Sequence, residues 1–179
     1  MQRGRTGILG STPSEESLFH EVQRFRHWFF WVPVLIATGM VWWLFGQQVL
    51  LDHPQGSEPI PDWLAWVLTI LFGIGLPAFA LIVRMVTQVR PGELSVRFVP
   101  ILTRRITVAD IAEAESREYS AMREFGGWGI RVASDGRAYN AHGSQGVQLT
   151  LKDGSRILVG TQRPQELVEA LRSAGAGVP

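Results

Sequence analysis

Between Arg26 and Asp52 the chain runs for 25 residues without a Lys, Arg, Asp or Glu, from His27 through Trp28-Phe29-Phe30-Trp31 to Leu50-Leu51. A helix rises about 1.5 Å per residue, so roughly 20 apolar residues cross a hydrocarbon core of about 30 Å. A second uncharged run, Trp63 to Val83, holds 21 residues and stops at Arg84. Core helices of soluble proteins usually keep one polar face, which neither run does. The first run also makes a poor cleaved leader. It begins late, exceeds the usual 7 to 15 apolar residues, and ends in Val49-Leu50-Leu51 with no small-x-small cleavage site.

The expected organisation is an N-terminal segment over 1–27, partly disordered, a first membrane helix over 28–51, a short loop over 52–62 and a second helix over 63–87. Trp28 and Trp31, Trp42 and Trp43, and Trp63 and Trp66 fall where interfacial anchors would sit at the two faces of a bilayer. Asp52, Glu58 and Asp62 stand in the loop with no basic residue, whereas Arg3, Arg5, Arg24 and Arg26 precede the hairpin and Arg84, Arg90 and Arg97 close it. Lys and Arg concentrate on the cytoplasmic side, so both termini are expected there and the loop outside. Gly73, Gly75 and Pro77 cluster within the second span and predict a kink at Pro77. The spans hold no ionisable residue near their middle, which disfavours a proton or ion path.

From about Arg90 the texture changes to short alternating segments. Candidate strands are 94–99, 104–108, 111–118, 129–133, 138–142, 147–152 and 155–160. Val147, Leu149 and Leu151 alternate with Gln148, Thr150 and Lys152, giving one buried and one wet face. Asp135-Gly136 and Asp153-Gly154 supply hairpin turns. Pro164 opens a helix with Glu166 in its first turn, and Leu167, Val168, Leu171 and Ala174 form its apolar stripe. Seven strands and one C-terminal helix follow the order of a pleckstrin-homology-like (PH-like) domain. The expected fold class is thus a transmembrane α-helical hairpin plus a mainly-β cytoplasmic domain over 92–175, a seven-stranded partly open barrel capped by the helix, with a flexible tail at 176–179.

Three stretches, Phe125-Gly126-Gly127-Trp128-Gly129-Ile130-Arg131, Gly146-Val147-Gln148-Leu149, and Ile157 through Gly160-Thr161-Gln162-Arg163-Pro164 to Leu167, resemble those of bacterial PH-like domain membrane proteins with two N-terminal transmembrane helices. The resemblance covers about residues 28 to 173. It implies a fold and a membrane setting, without an agreed activity.

The remaining sequence narrows the chemistry. Zero Cys removes thiolate metal sites and thiol nucleophiles, and a net charge of +1 leaves no field of one sign for nucleic acid. Nucleophile-elbow, phosphate-loop, dinucleotide and zinc-protease motifs are absent, so no catalytic residue, cofactor, metal or small-molecule substrate is expected. The expected function is a non-enzymatic protein-interaction or assembly module, with membrane lipids, other proteins or a second copy as partners. The alternative is an anionic-lipid or ligand sensor in which Arg97, Arg104 and Arg105 act with the Trp128 turn as the contact surface. An enzyme would need Glu118, Glu124 and His142 to converge in a polar pocket.

Overall fold

The computed structural model describes residues 17–25, 27–51, 60–133 and 136–177. Its order begins with a strand: β1 (Phe19–Arg24) precedes helix α1 (Trp28–Phe45), which continues as a π-helical stretch, Gly46–Leu50. The return path is α2 (Asp62–Leu68), a second π-helical stretch (Thr69–Gly75) and α3 (Leu76–Ile82). Then come β2 (Arg84–Arg90), β3 (Glu93–Val99), β4 (Leu102–Thr107), β5 (Ile111–Glu118), α4 (Ala121–Phe125), β6 (Gly129–Ala133), β7 (Gly136–Asn140), β8 (Gln145–Leu151), β9 (Arg156–Gly160) and α5 (Pro164–Ser173).

Two continuous helices, Trp28–Leu50 of 23 residues and Asp62–Ile82 of 21, are long and apolar enough to cross a membrane. Only 11% and 22% of their most apolar windows are buried within the molecule. Helices at the core of a soluble domain would be covered by neighbouring elements, and these are not.

Polar groups in the hairpin are satisfied between the helices. In the second π-helical stretch the Leu76 N–H reaches the Leu71 carbonyl, five residues back. The next carbonyl, Phe72, would be served in that pattern by residue 77, but Pro77 has no N–H. Thr38 of α1 donates to Phe72 O at 3.4 Å, and Trp42 Nε1 donates to Gly73 O at 3.2 Å. Gly73 is held to Gly by this approach: an added Cβ would lie 2.9 Å from Trp42 Nε1. At the far end Gln48 Nε2 donates to Ile60 O at 2.6 Å.

The strands form two sheets. The first is an antiparallel meander, β1-β2-β3-β4, and the second is β5-β8-β9-β7-β6, in which β7 and β9 run parallel and the other pairs antiparallel. β1 pairs with β2 from Phe19↔Val89 to Arg24↔Arg84. The whole helical hairpin is therefore the connection between two neighbouring strands, and its two ends lie on one side. A common core of Met85, Val89, Leu94, Val96 and Phe98 from the first sheet meets Ile111, Val147, Leu149 and Val159 from the second, with Leu167 and Leu171 of α5 closing it. Each buried Val or Leu contributes about 1.5–3 kcal/mol.

The sequence-based boundaries change in four respects. Residues 19–24 are a strand within the segment expected to be partly disordered. The second helix ends at Ile82, five residues before 87, because Met85 and Val89 owe their apolarity to the sheet core, where both are 0% exposed, rather than to lipid. Among the described residues nine strands form two separate sheets that are not closed into a barrel. Ala176, placed in the tail, packs against the core, and its N–H donates to Leu171 O. Asp135 and the loop residues 52–59 lie outside the described residues.

Candidate functional site

The segment that follows β9 contacts β1 along its length, from Phe19 to Gln23. Three inner-facing residues of β1, Phe19, Glu21 and Gln23, are buried, while His20, Val22 and Arg24 between them are exposed. Glu21 is 8% exposed, and its carboxylate accepts from the Thr161 hydroxyl and, at 3.0 Å, from the Gln162 N–H. Thr161, fully buried, also accepts from the Arg163 N–H at 3.0 Å. Arg163 reaches back to the His20 carbonyl at 2.7 Å and stacks over the Phe19 ring. Gln23 Nε2 donates to Gly160 O at 2.9 Å. The Gly160-Thr161-Gln162-Arg163 run, legible in sequence only as a helix entry, is thus a clamp on β1. Gly160 has no room for more: an added Cβ would lie 2.8 Å from both Asn140 and the Tyr119 hydroxyl.

The start of α1 is held by rings. His27, which immediately precedes the helix, stacks on His142 at 4.7 Å between centroids and lies 4.4 Å from Trp128 and 5.1 Å from Phe29. Phe29 also stacks on Trp128 at 4.8 Å. Trp128 Nε1 donates to Gly143 O at 3.3 Å, and Asn140 Oδ1 accepts from the Gly129 N–H at 2.8 Å, so the turn carrying the indole is pinned to the end of β7. Gly126 caps α4 at φ +68°, the left-handed conformation that lets the chain reverse into that turn. Burial, then repulsion from His142, lowers the His27 pKa below its ordinary value.

Two cavities open on the domain. One, about 280 Å³, runs beside β1 and is lined by Glu21, Val22, Gln23, Arg24, His142 and Gln162. The other, about 410 Å³, lies on the outer face of the second sheet, with Glu113, Glu115 and Glu124 set against Arg117, Arg137 and Arg156. Arg117 and Glu124 pair at 2.9 Å. Burial pushes the phenol of Tyr119, behind Phe125, up to about 12.

The residues singled out from sequence are dispersed. Arg97 lies exposed on β3; Arg104 and Arg105 are consecutive on β4 and so face opposite sides of the sheet. Arg104 sits beside Val96 on the inner side at the open edge, and Arg105 beside Ser95 on the outer, 3.9 Å from Glu93. Trp128 belongs to the second sheet's α4–β6 turn and meets His27 and Phe29, so it does not share a surface with that arginine pair. Glu124 lines the larger cavity and His142 the smaller, and Glu118 is exposed at the end of β5; the three do not converge.

Of the six tryptophans expected as interfacial anchors, Trp28, Trp43, Trp63 and Trp66 are more than half exposed along the helices. Trp31 Nε1 donates to Phe25 O at 3.1 Å, tying α1 to the end of β1, and Trp42 serves the second helix as described. Pro77 is at the start of α3, directly after the π-helical stretch. Among the described residues no group of three His, Asp or Glu is placed to hold a metal ion.

The residues that sequence reading missed, Glu21 and Gln23, are polar groups buried against the segment that carries Thr161. Their isolated letters carry no signal, because burial of a carboxylate depends on donors 140 positions away. The family described as Family of unknown function (DUF6141) matches residues 11–178 of the chain. No curated protein and no solved structure matches it.

Proposed function

The chain belongs to that family of unknown function, and we propose that it is an integral protein of the bacterial inner (plasma) membrane that presents a rigidly mounted cytoplasmic domain as a non-enzymatic protein-association module. The domain is read as a divergent PH-like arrangement, in which an antiparallel meander packs on a second sheet and a C-terminal helix closes the core. The mixed order of the second sheet is its departure from that pattern.

One observation carries the association reading. β6 is hydrogen-bonded to β7 on one side only, and it carries Ile130 and Val132 with 37% and 78% of their surface exposed, near Met122 at 61%. Two of the other edge strands, β4 and β1, are guarded. β4 carries Arg104 and Arg105, and β1 is flanked by the Thr161 clamp. Apart from Arg131, this edge presents apolar side chains, a template for an added strand, and its occupant is here read as an extended segment of a partner protein.

A photocrosslinking residue at Val132 should capture a protein partner in intact cells, whereas the same residue at Arg105 should not. Equal capture at both positions, or none at Val132, counts against association through this edge. Orientation is tested separately by an impermeant thiol reagent, which should label a cysteine at Gly56 from outside and one at Gly154 only after permeabilisation.

A further inference from the structure

We propose that the turn between β3 and β4 is a third membrane contact, in which Ile101 enters the interface beside the helical hairpin while Arg24, Arg84 and Arg97 hold the phosphates of anionic phospholipids; this rests on the membrane reading above. Strand register places these residues. β2 begins at Arg84, two residues after the second membrane-length helix ends at Ile82, and runs away from it. β3 is antiparallel to β2 and so runs back toward the helix, with Val99 opposite Arg84. The turn that follows overshoots that row. Its Ile101 N–H donates to Phe98 O at 2.6 Å, and Ile101 and Leu102 are 59% and 41% exposed. Adjacent strands lie about 4.8 Å apart and each residue advances about 3.3 Å, so Ile101 is within about 12 Å of Arg84. The root of the turn is tied to the other helix: Phe98 lies 6.3 Å from Phe25, which stacks at 5.2 Å on Phe30 in the first turn of α1.

The face beside the turn is basic. Gln23, Met85 and Phe98 are buried on the inner side of the first sheet, so Arg24, Arg84 and Arg97, each adjacent to one of them in sequence, share the outer side, and all three are exposed. Arg24 and Arg84 are direct cross-strand partners, and Arg97, the partner of Val86, stands diagonal to Arg84. Like charges directly opposite one another destabilise a sheet, and an anion between them removes that cost. Among the described residues none of the three arginines has a carboxylate partner. Glu93, the acid on this face, sits at the far end of β3, 3.9 Å from Arg105. A lipid phosphate supplies the missing anion at the depth the helix ends set, and a guanidinium takes two of its oxygens at once. An apolar turn flanked by arginines thus joins both contributions to interfacial binding, buried apolar area and attraction to anionic lipid.

The test uses the full chain in vesicles of equal parts phosphatidylcholine and phosphatidylglycerol. The sequence has no Cys, so a spin label can be attached at Ile101→Cys and, for comparison, at Val132→Cys and Lys152→Cys. Exposure to lipid-soluble oxygen relative to a water-soluble nickel chelate should be several-fold higher at Ile101→Cys than at the other two sites. An equal ratio at the three sites, the result expected if the turn docks a soluble protein instead, overturns the contact. Each arginine near an anionic leaflet contributes about fivefold to binding. Arg24→Ser, Arg84→Ser and Arg97→Ser together should therefore lower the ratio at Ile101→Cys to its value in pure phosphatidylcholine vesicles. Arg123→Ser, Arg137→Ser and Arg156→Ser remove the same net charge elsewhere and should leave the ratio unchanged. Equal loss in both triple variants, or none in the first, overturns the arginine site. All six arginines are exposed, so neither result depends on the fold surviving a core change. Extraction of the wild-type chain from membranes by alkaline carbonate would instead overturn the membrane reading. A chain that resists extraction yet keeps an aqueous label at Ile101→Cys refutes the contact alone.

Discussion

Replacing Glu21 by Ala takes the acceptor from under Thr161, which is 0% exposed, and from the Gln162 N–H, and so tests whether β1 is clamped to the second sheet. A hydrogen bond to a charged group contributes about 1.5–3 kcal/mol, and the partly buried Gln162 N–H regains some hydration when its partner leaves. The loss should total about 3 kcal/mol. In a domain of about a hundred residues each kcal/mol moves the unfolding midpoint by roughly 4–8 °C, so Glu21→Ala should lower it by more than 10 °C. Glu21→Gln keeps one acceptor and should lose about half as much. The assay is thermal unfolding of the full chain in lipid-free detergent, followed by near-ultraviolet circular dichroism. A double-mutant cycle with Thr161→Val sharpens it: the two changes should be strongly non-additive, with a coupling of about 1.5 kcal/mol or more. A shift under about 3 °C, or strict additivity, would refute the clamp.

Three further outcomes follow from the geometry. Gly73→Ala places a methyl 2.9 Å from Trp42 Nε1 and should weaken helix–helix association by about 1–3 kcal/mol, against about 1 kcal/mol for Trp42→Phe, measured by denaturant titration in micelles; equal small effects would contradict the contact. The raised Tyr119 pKa means the folded state holds its phenol proton longer than the unfolded chain, so stability should fall as pH rises from about 10 toward the folded value of about 12, and Tyr119→Phe should remove a phenolate transition near the upper value in an absorbance titration. For His27 the shift is downward, so the unfolded chain binds the proton more readily. Its contribution is present above the ordinary value of about 6.5 and is lost as pH falls, and His27→Phe should flatten the midpoint's dependence between about pH 7.5 and 5.5. An unchanged slope in that variant would show that the ring stack is not the acid-sensitive element.

What could be read from the sequence was whatever a periodic or uniform pattern encodes locally. The two uncharged runs gave both helices, and alternation gave β5 and β6 to the residue, β3 and β9 to within one residue and β8 to within two. β1 escaped because its buried positions are Phe19, Glu21 and Gln23, so the parity that faces the core is mostly polar. β2 was absorbed into the second helix because Met85, Val86 and Val89 continue its apolar character across Arg84. The partition between lipid and sheet core is decided by pairing with β1, a contact 60 residues away in sequence. The candidate site was half visible for the same reason: Trp128 and the Thr161 run stood out as distinctive turns, but their partners lie on the strand that sequence concealed. Arg104 and Arg105 looked like a pair because they are adjacent, and strand alternation is what separates them.

The central claim is that the helical hairpin is inserted between two paired strands of one sheet. The chain has no cysteine, so a pair can be introduced without background. Val22 and Val86 are register partners across β1 and β2, whereas Val22 and Thr87 are offset by one residue and face opposite sides. In membranes under mild oxidation, Val22→Cys with Val86→Cys should close an intramolecular disulfide in most chains, and Val22→Cys with Thr87→Cys should not. Failure of the first pair, or equal crosslinking by both, would contradict the account.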